Sequence, residues 1–187
     1  MRWRTFACNG FIPIVTHALL LAVVLVQQPD RARFEFAGAD SSAIERFFGH
    51  IAECRAETRT FANLLAEISD STGALPATVG DDLPNIRYGR AYDENRLPLF
   101  SVDLADIEQL PVRAAIRRAS ADSTPAPTRC GILARTLGEA VAYRRMWQFW
   151  RSSAMSFEDR REIAREYGLG RERYVARDQQ RRPRVIP

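Results

Sequence analysis

The sequence contains no lysine. All 27 of its basic residues other than histidine are arginine. Codon drift towards arginine explains part of this, but the same drift thins out isoleucine and phenylalanine, of which 11 and 10 remain. Two physical explanations stay open beside codon bias. The planar arginine fork suits carboxylate or phosphate pairing, or the lysine amine is disfavoured because enzymes modify it, as in ubiquitination.

The common signatures of catalysis and cofactor binding are missing as well. There is no G-x-S-x-G, C-x-x-C, H-E-x-x-H, P-loop or dinucleotide fingerprint, which excludes the enzyme classes that these motifs mark. Of the two histidines, His17 lies in an apolar segment and His50 is expected at the surface. Zinc needs three or four ligands, which one histidine and two distant cysteines supply only by coincidence. We therefore expect no metal and no cofactor.

Paired carboxylates are the remaining candidates for acid–base chemistry. The candidates are Asp81-Asp82, Asp93-Glu94 and the group of Asp103, Asp106 and Glu108. They fall in predicted loops and turns, where solvation keeps carboxylates ionised. Catalysis needs one carboxyl held in a dry pocket that raises its pKa. No catalytic residue can be named on this basis, and the sequence favours a non-enzymatic protein.

The N-terminus is typical of an export signal. Arg2 and Arg4 precede an uncharged run over 11–26. As a helix this run is about 24 Å long, short of the ~30 Å hydrocarbon core of a bilayer. The cleavage signal is poor, since the small residues Ala37-Gly38-Ala39 lie rather far downstream. Residues 1–28 are therefore a cleaved signal peptide, an uncleaved membrane anchor or a buried core helix.

Three cysteines are present, and Cys8 belongs to the signal region. The other two, Cys54 and Cys130, form an even number, which in an exported protein predicts one disulfide. The alternative is a pair of buried free thiols, because free cysteine is among the most buried residue types.

Apolar periodicity predicts two long helices. Over 42–69, apolar residues recur with the spacing 3-4-3-4-3-4-3, and Thr58 is the one polar residue in this series. At the start of the segment, Ser42 with Glu45 fits a capping box. A second helix is predicted over 130–152, packed beside the first. The stripe of the first helix consists of Ile44, Phe47, Ile51, Cys54, Thr58, Phe61, Leu65 and Ile68.

Between these helices, 85–92 and 97–104 predict a small β-hairpin. A shorter C-terminal helix begins at a Ser156–Asp159 cap and ends at Gly168. The expected fold is mainly α (α+β), with an apolar signal or anchor helix at the N-terminus. The expected domains are 1–28 as signal or anchor, 29–40 as linker, 41–178 as one α-rich domain and 179–187 as a disordered basic tail.

The C-terminal part is basic: from residue 144 onward there are 12 arginines and 6 acids, a local charge of +6. Spacing around Gly168 is similar to that of a helix-turn-helix, whose second helix would direct arginines at DNA. The commoner structure with this pattern is a single helix capped by glycine and followed by a frayed tail. The predicted partner-binding residues are Trp147, Trp150, Arg171, Arg173 and Arg177.

These features predict an exported (periplasmic or secreted) or single-pass membrane-anchored protein, disulfide-bonded, that binds another macromolecule without catalysis. A protein or envelope component is the expected partner, and the membrane is a second one if 1–28 is uncleaved. One alternative is a lysine-free secreted toxin or virulence effector, although the Ser-Thr-Ser and Glu-x-Glu motifs of ADP-ribosylating toxins are absent. The other alternative is a helix-turn-helix protein that binds nucleic acid.

Overall fold

The structure is a computed structural model and describes residues 30–71, 73–112, 126–149 and 155–181. The chain divides into two compact units, Met1–Ala32 and Arg33–Pro187. Everything below concerns the second unit. The predicted signal or anchor segment, residues 1–28, lies outside the described residues.

Four strands form one mixed sheet in the order β1-β2-β4-β3. They are β1 (Phe34–Phe36), β2 (Leu75–Gly80), β3 (Gly89–Tyr92) and β4 (Pro98–Asp103). β2 pairs in parallel with both β1 and β4, whereas β3 and β4 form an antiparallel hairpin. Parallel neighbours need a long crossover, and the helices after β1 supply it.

The α+β class and the hairpin are confirmed, but half of the sheet was missed. β1 lies inside the segment 29–40 that was predicted to be a linker, and β2 lies in a stretch predicted to be a loop. β1 has only three residues, and β2 contains Pro76, which argues against a strand in the interior of a sheet. Tertiary pairing therefore decides the conformation of these segments against their local preference.

Five helices occur in the described residues, and α4 and α5 are the longest. The predicted second helix corresponds to α4, and the predicted C-terminal helix corresponds to α5. The predicted end of the C-terminal helix at Gly168 is wrong, because α5 continues past Gly168 and has 25 residues. The helices are α1 (Ser41–Glu57), α2 (Arg59–Ser71), α3 (Leu104–Glu108), α4 (Arg129–Phe149) and α5 (Phe157–Arg181).

The predicted single helix over 42–69 is wrong, because Thr58 divides it into α1 and α2. Thr58 is extended (φ −141°, ψ 138°) and fully buried. Its hydroxyl accepts a hydrogen bond from the amide of Phe61 at 3.2 Å, which caps the first turn of α2. The stripe itself is buried from Phe47 to Ile68. The polar residue in the stripe is thus the joint between two helices that share one apolar face.

Of the two N-terminal helix caps that the sequence predicts, the one at Ser42 is wrong and the one at Ser156 is confirmed. The Ser42–Glu45 capping box is wrong, since α1 begins after Asp40, which makes no side-chain cap bond. At the start of α5 the Ser156 hydroxyl accepts from the amide of Asp159 at 3.1 Å. The Asp159 carboxylate accepts in return from the amide of Ser156 at 3.3 Å. This reciprocal cap confirms the predicted start of α5.

The core lies between one face of the sheet and the helices. Rings of Phe34, Phe47 and Phe100 meet there, with centroids 5.3 to 5.8 Å apart. Cys54 of α1 is bonded to Cys130 of α4, with 5.2 Å between the Cα atoms. The bridge closes a loop with a sequence separation of 76, which is worth about 4 kcal/mol in the chain-entropy view of disulfides.

The predicted contact between the segments 42–69 and 130–152 is present, since α4 contacts both α1 and α2. The most extensive helix contact is nevertheless that between α4 and α5. These helices cross where Gly138 faces Gly168. A Cβ built on Gly168 would lie 2.4 Å from Cγ of Glu139 and 2.6 Å from the carbonyl oxygen of Arg135. Only glycine allows the two backbones to come this close.

We therefore expect replacement by alanine to change the free energy of unfolding in opposite directions at two glycines of α5. Gly168→Ala should lower the free energy of unfolding by roughly 1–3 kcal/mol, because backbone of α4 blocks the new methyl group. Gly170→Ala should raise it by roughly 0.5–1 kcal/mol, because no atom lies within 4 Å of that position and alanine favours the helix. Urea denaturation of dilute protein measures both. Equal effects of the two substitutions would show that α4 and α5 do not cross at Gly168.

Candidate binding cleft

A cleft opens on the face of the sheet opposite the core. The register places Ser101 beside Thr78 on one side and Arg90 on the other, and these residues form part of its surface. Its volume is about 200 Å³, and strands and loops supply all of its walls. The apolar lining residues are Leu83, Pro84, Ile86, Tyr92 and Leu99; the polar ones are Thr78, Arg90, Asp93, Glu94 and Ser101.

One wall of the cleft is a loop, 81–88, that the start of α3 holds in place. Asp103 accepts from the amide of Leu83 at 2.6 Å, and Asp106 accepts from the amide of Tyr88 at 3.2 Å. Asp82, Asn85 and Tyr88 have φ values of 53°, 59° and 66°, a region that non-glycine residues rarely occupy. Such strain persists where surrounding bonds enforce it and is concentrated at functional sites.

Charges of both signs line the cleft. Arg90 donates to the carbonyl oxygen of Asn85 at 2.8 Å, so its guanidinium is held beside the loop. Asp93 accepts from the amide of Leu97 at 2.7 Å and tightens the turn of the hairpin. The charged lining residues can therefore form ion pairs with a charged ligand while the apolar ones receive an apolar group.

A network of ion pairs joins α1, α3, α4 and the start of the loop 81–88. Arg46 makes paired hydrogen bonds of 2.8 to 3.0 Å to Glu108 and to Asp81. Its guanidinium holds the pKa of each of these carboxyls below its usual value. The Arg46 pKa rises in turn, chiefly through its hydrogen bonds to Asp81 and then to Glu108. Residues far apart in sequence meet here, which single-sequence patterns do not reveal.

His50 belongs to this network, and its predicted surface position is wrong. Its side chain is 14% exposed. Nε2 lies 3.0 Å from Glu108, and Nδ1 lies 3.4 Å from the guanidinium of Arg129. A guanidinium can only donate, so Nδ1 accepts and the Nε2 proton points to Glu108. Both ring nitrogens are engaged, and the geometry fixes the imidazole as a structural bridge between helices.

Of the predicted partner-binding residues, Arg171 turns inward. It donates to Glu67 of α2 at 2.6 Å, beside Tyr167, whose hydroxyl donates to the same carboxylate at 2.5 Å. Burial raises the pKa of Tyr167, and the hydrogen bond to Glu67 acts in the same direction. This cluster joins α2 to α5.

The other predicted partner-binding residues are in different settings. Trp147 is half-buried, with the guanidinium of Arg160 5.7 Å from its ring centre. Arg173 and Arg177 are exposed on α5, and Trp150 lies outside the described residues. A helix-turn-helix requires a turn at Gly168. The prediction of this turn is wrong, because α5 is continuous at Gly168.

Neither a metal site nor a membrane-spanning helix is present in the part of the chain that the structure describes. No group of three or more histidine, cysteine, aspartate or glutamate side chains there is placed to hold a metal ion. No helix among those residues is both long and apolar enough to cross a bilayer.

The chain matches no protein-family model, no curated protein and no solved structure.

The network predicts how stability depends on pH. Because the folded pKa of Glu108 lies below its ordinary 4.5, Glu108 stabilises the fold above pH 4.5 and loses this contribution as the pH falls further. The melting temperature of Glu108→Gln should therefore lie below that of the wild type at about pH 7, and the gap should narrow towards about pH 3.

Glu139→Gln is the matched control of opposite sign. Burial raises the pKa of Glu139 above 4.5, so stability falls as the pH rises from 4.5 to that raised value, and the loss is complete above it. This variant should melt above the wild type at about pH 7 and lose its advantage at acidic pH. A gap for Glu108→Gln that stays constant with pH would contradict the role given to the Arg46 pairs.

Proposed function

We propose that this protein is an exported, non-enzymatic module that binds a partner protein through the cleft on the outer face of its sheet. The observation that carries the proposal is the cleft itself, which has apolar and charged lining residues and a strained loop fixed by Asp103 and Asp106. Binding sites are typically concave and apolar with a few fixed polar groups.

The size of the cleft favours one side chain of a protein over a free small molecule. Its volume of about 200 Å³ is below the ~300–1,000 Å³ of typical small-molecule pockets. Protein interfaces commonly depend on one large apolar or aromatic anchor that fills a pocket of the partner. The charges of Arg90, Asp93 and Glu94 then surround such an anchor as a polar rim.

The chemistry of the lining residues favours binding over catalysis. Its aliphatic hydroxyls, those of Thr78 and Ser101, have no histidine beside them among the described lining residues, and the carboxylate of Asp93 is engaged by the amide of Leu97. A hydroxyl nucleophile needs a general base within hydrogen-bonding distance. His50 is engaged at both nitrogens in the network of α1, α3 and α4.

The disulfide supports export, because such bonds persist in oxidising compartments and are rare in the cytosol. Full-length protein fused at its C-terminus to alkaline phosphatase, which folds only in an oxidising compartment, should therefore be active in a bacterial host. The same chain fused to a cytoplasmic green fluorescent protein should be dark. The reverse result, an inactive phosphatase and a bright fluorescent fusion, would refute export.

Binding at the cleft can be tested with a phage-displayed random peptide library panned on the full-length protein. Enriched peptides should share one large apolar residue with charged neighbours, because that residue would occupy the apolar walls. Thr78→Phe should fill the cleft and weaken these peptides by roughly tenfold or more, the usual effect of losing an anchor.

Glu35→Phe is the matched control for this experiment. It adds the same ring to the same face of the sheet, at an exposed position of β1 outside the cleft, and should bind like the wild type. A library that enriches no peptide, or peptides that bind Thr78→Phe as well as the wild type, would refute the cleft as the binding site.

A further inference from the structure

The solvent-exposed side of α5 has its charges sorted by sign along the helix. Three acids occupy the first half of this stripe and three arginines the second, with Gly170 between them. The spacing is 3-4-4-3-4-4, which keeps all seven residues on one side of a helix with 3.6 residues per turn. The outer face of α5 consists of Asp159, Glu162, Glu166, Gly170, Arg173, Arg177 and Arg181.

Contacts within the chain leave most of these charges unsatisfied. Glu166, Arg173 and Arg181 make no ion pair with any described residue, and Glu162 only approaches Arg165 at 3.9 Å with both side chains more than half exposed. The other arginines of the first half lie off this face. Arg160, for instance, covers Trp147.

The helix dipole accounts for only part of the sorting. Acids near the N-terminus and arginines near the C-terminus of a helix are favourable, but the effect fades within the first and last turns. Asp159 and Arg181 lie in those turns. Glu166 and Arg173 lie near the middle of the 25-residue helix, where the dipole gives no reason for their signs.

Gly170, at the centre of the face, packs against no other element in the part of the chain that the structure describes. Outside the adjacent turns of α5, no atom there comes within 4 Å of a Cβ built on Gly170, although glycine in a helix costs about 1 kcal/mol relative to alanine. A glycine on an open helix face permits close approach of a second backbone, as Gly168 does for α4 on the other side of the same helix.

We infer that α5 pairs with α5 of a second copy of this chain, antiparallel, about a two-fold axis near Gly170. In a two-fold interface, residue i meets residue j of the partner and j meets i. Glu166 lies four residues before Gly170 and Arg173 three after it; Glu162 and Arg177 lie eight before and seven after. At about 1.5 Å per residue, each acid therefore aligns with an arginine of the second copy.

The remaining members of the face and its exposed apolar residues fit the same axis. Asp159 and Arg181 lie eleven residues before and after Gly170. Ile163 and Tyr174 are 50% and 52% exposed and lie on one flank of the face, so that Ile163 of each copy approaches Tyr174 of the other. The two copies thus bury each other's exposed apolar groups beside six ion pairs.

The acidic half of the outer face favours a second copy of the chain over a polyanion as the binding partner of α5. Phosphates of a nucleic acid or an anionic bilayer would be attracted by Arg173, Arg177 and Arg181 but repelled by Glu162 and Glu166. A second copy in antiparallel orientation neutralises both halves at once. Opposed like charges are unfavourable, which excludes the parallel orientation.

Sedimentation equilibrium of the full-length protein tests the inference. The wild type should show a monomer–dimer equilibrium whose dissociation constant rises with salt, because the pairs are exposed. Glu166→Arg alone, and Arg173→Glu alone, should each raise that constant by roughly tenfold or more, since each change places like charges opposite one another twice. The double variant E166R/R173E should restore dimerisation, because residue 166 again faces an opposite charge at 173.

Restoration in the double variant is specific to antiparallel pairing and shows that the variants fold. Arg161→Glu is the control, since Arg161 is exposed but lies off the face, and it should leave the dissociation constant unchanged. A wild type that remains monomeric at all concentrations, or a dimer that Glu166→Arg and Arg173→Glu leave intact, would overturn the inference. So would association that appears only when a nucleic acid or anionic vesicles are added.

Discussion

The start of α4 is the point on which the packing of the other elements depends. Cys130 is bonded to Cys54 of α1, and its neighbour Arg129 donates to the carbonyl oxygens of Ile107, Glu108 and Leu110. The same guanidinium reaches Glu53 of α1 at 3.1 Å. Two successive residues therefore fix α4 against α1 and against the end of α3. Because α3 follows β4 directly, this also fixes the edge from which the loop 81–88 is held.

Arginine is suited to these sites in a way that lysine is not. Arg129 donates hydrogen bonds to three carbonyl oxygens and a carboxylate, and Arg46 donates paired hydrogen bonds to each of two carboxylates. A guanidinium has five donors in a rigid plane, whereas an ammonium has three on a flexible stem. Arg171 binds Glu67 in a similar half-buried setting. Of the explanations for the absence of lysine, the need for a planar fork thus has direct structural support at these positions.

Periodicity predicted the parts of the fold that local pattern controls, and pairing between distant residues decided the rest. The buried stripe from Phe47 to Ile68, the hairpin and the Ser156–Asp159 cap were predictable because each depends on neighbours in sequence. β2 was not predictable, because Pro76 and Gly80 are typical of loops rather than of strands. Its pairing with β4 begins at Ala77, one residue after the proline. The cleft and the His50 network were also beyond sequence reasoning, since each joins segments that only the tertiary fold brings together.

The two proposed surfaces consist of different residues. Strands and loops of the sheet line the cleft, whereas the charged face belongs to α5, whose first residue Phe157 packs against Tyr92 with ring centroids 5.4 Å apart. Pairing through the charged face uses none of the residues that line the cleft, so a dimer would carry two clefts related by the two-fold axis. A partner with repeated or clustered copies of the recognised side chain could then engage both clefts. The second binding event would be intramolecular, so that weak individual contacts combine into a tight one if the partner's spacing matches that of the clefts.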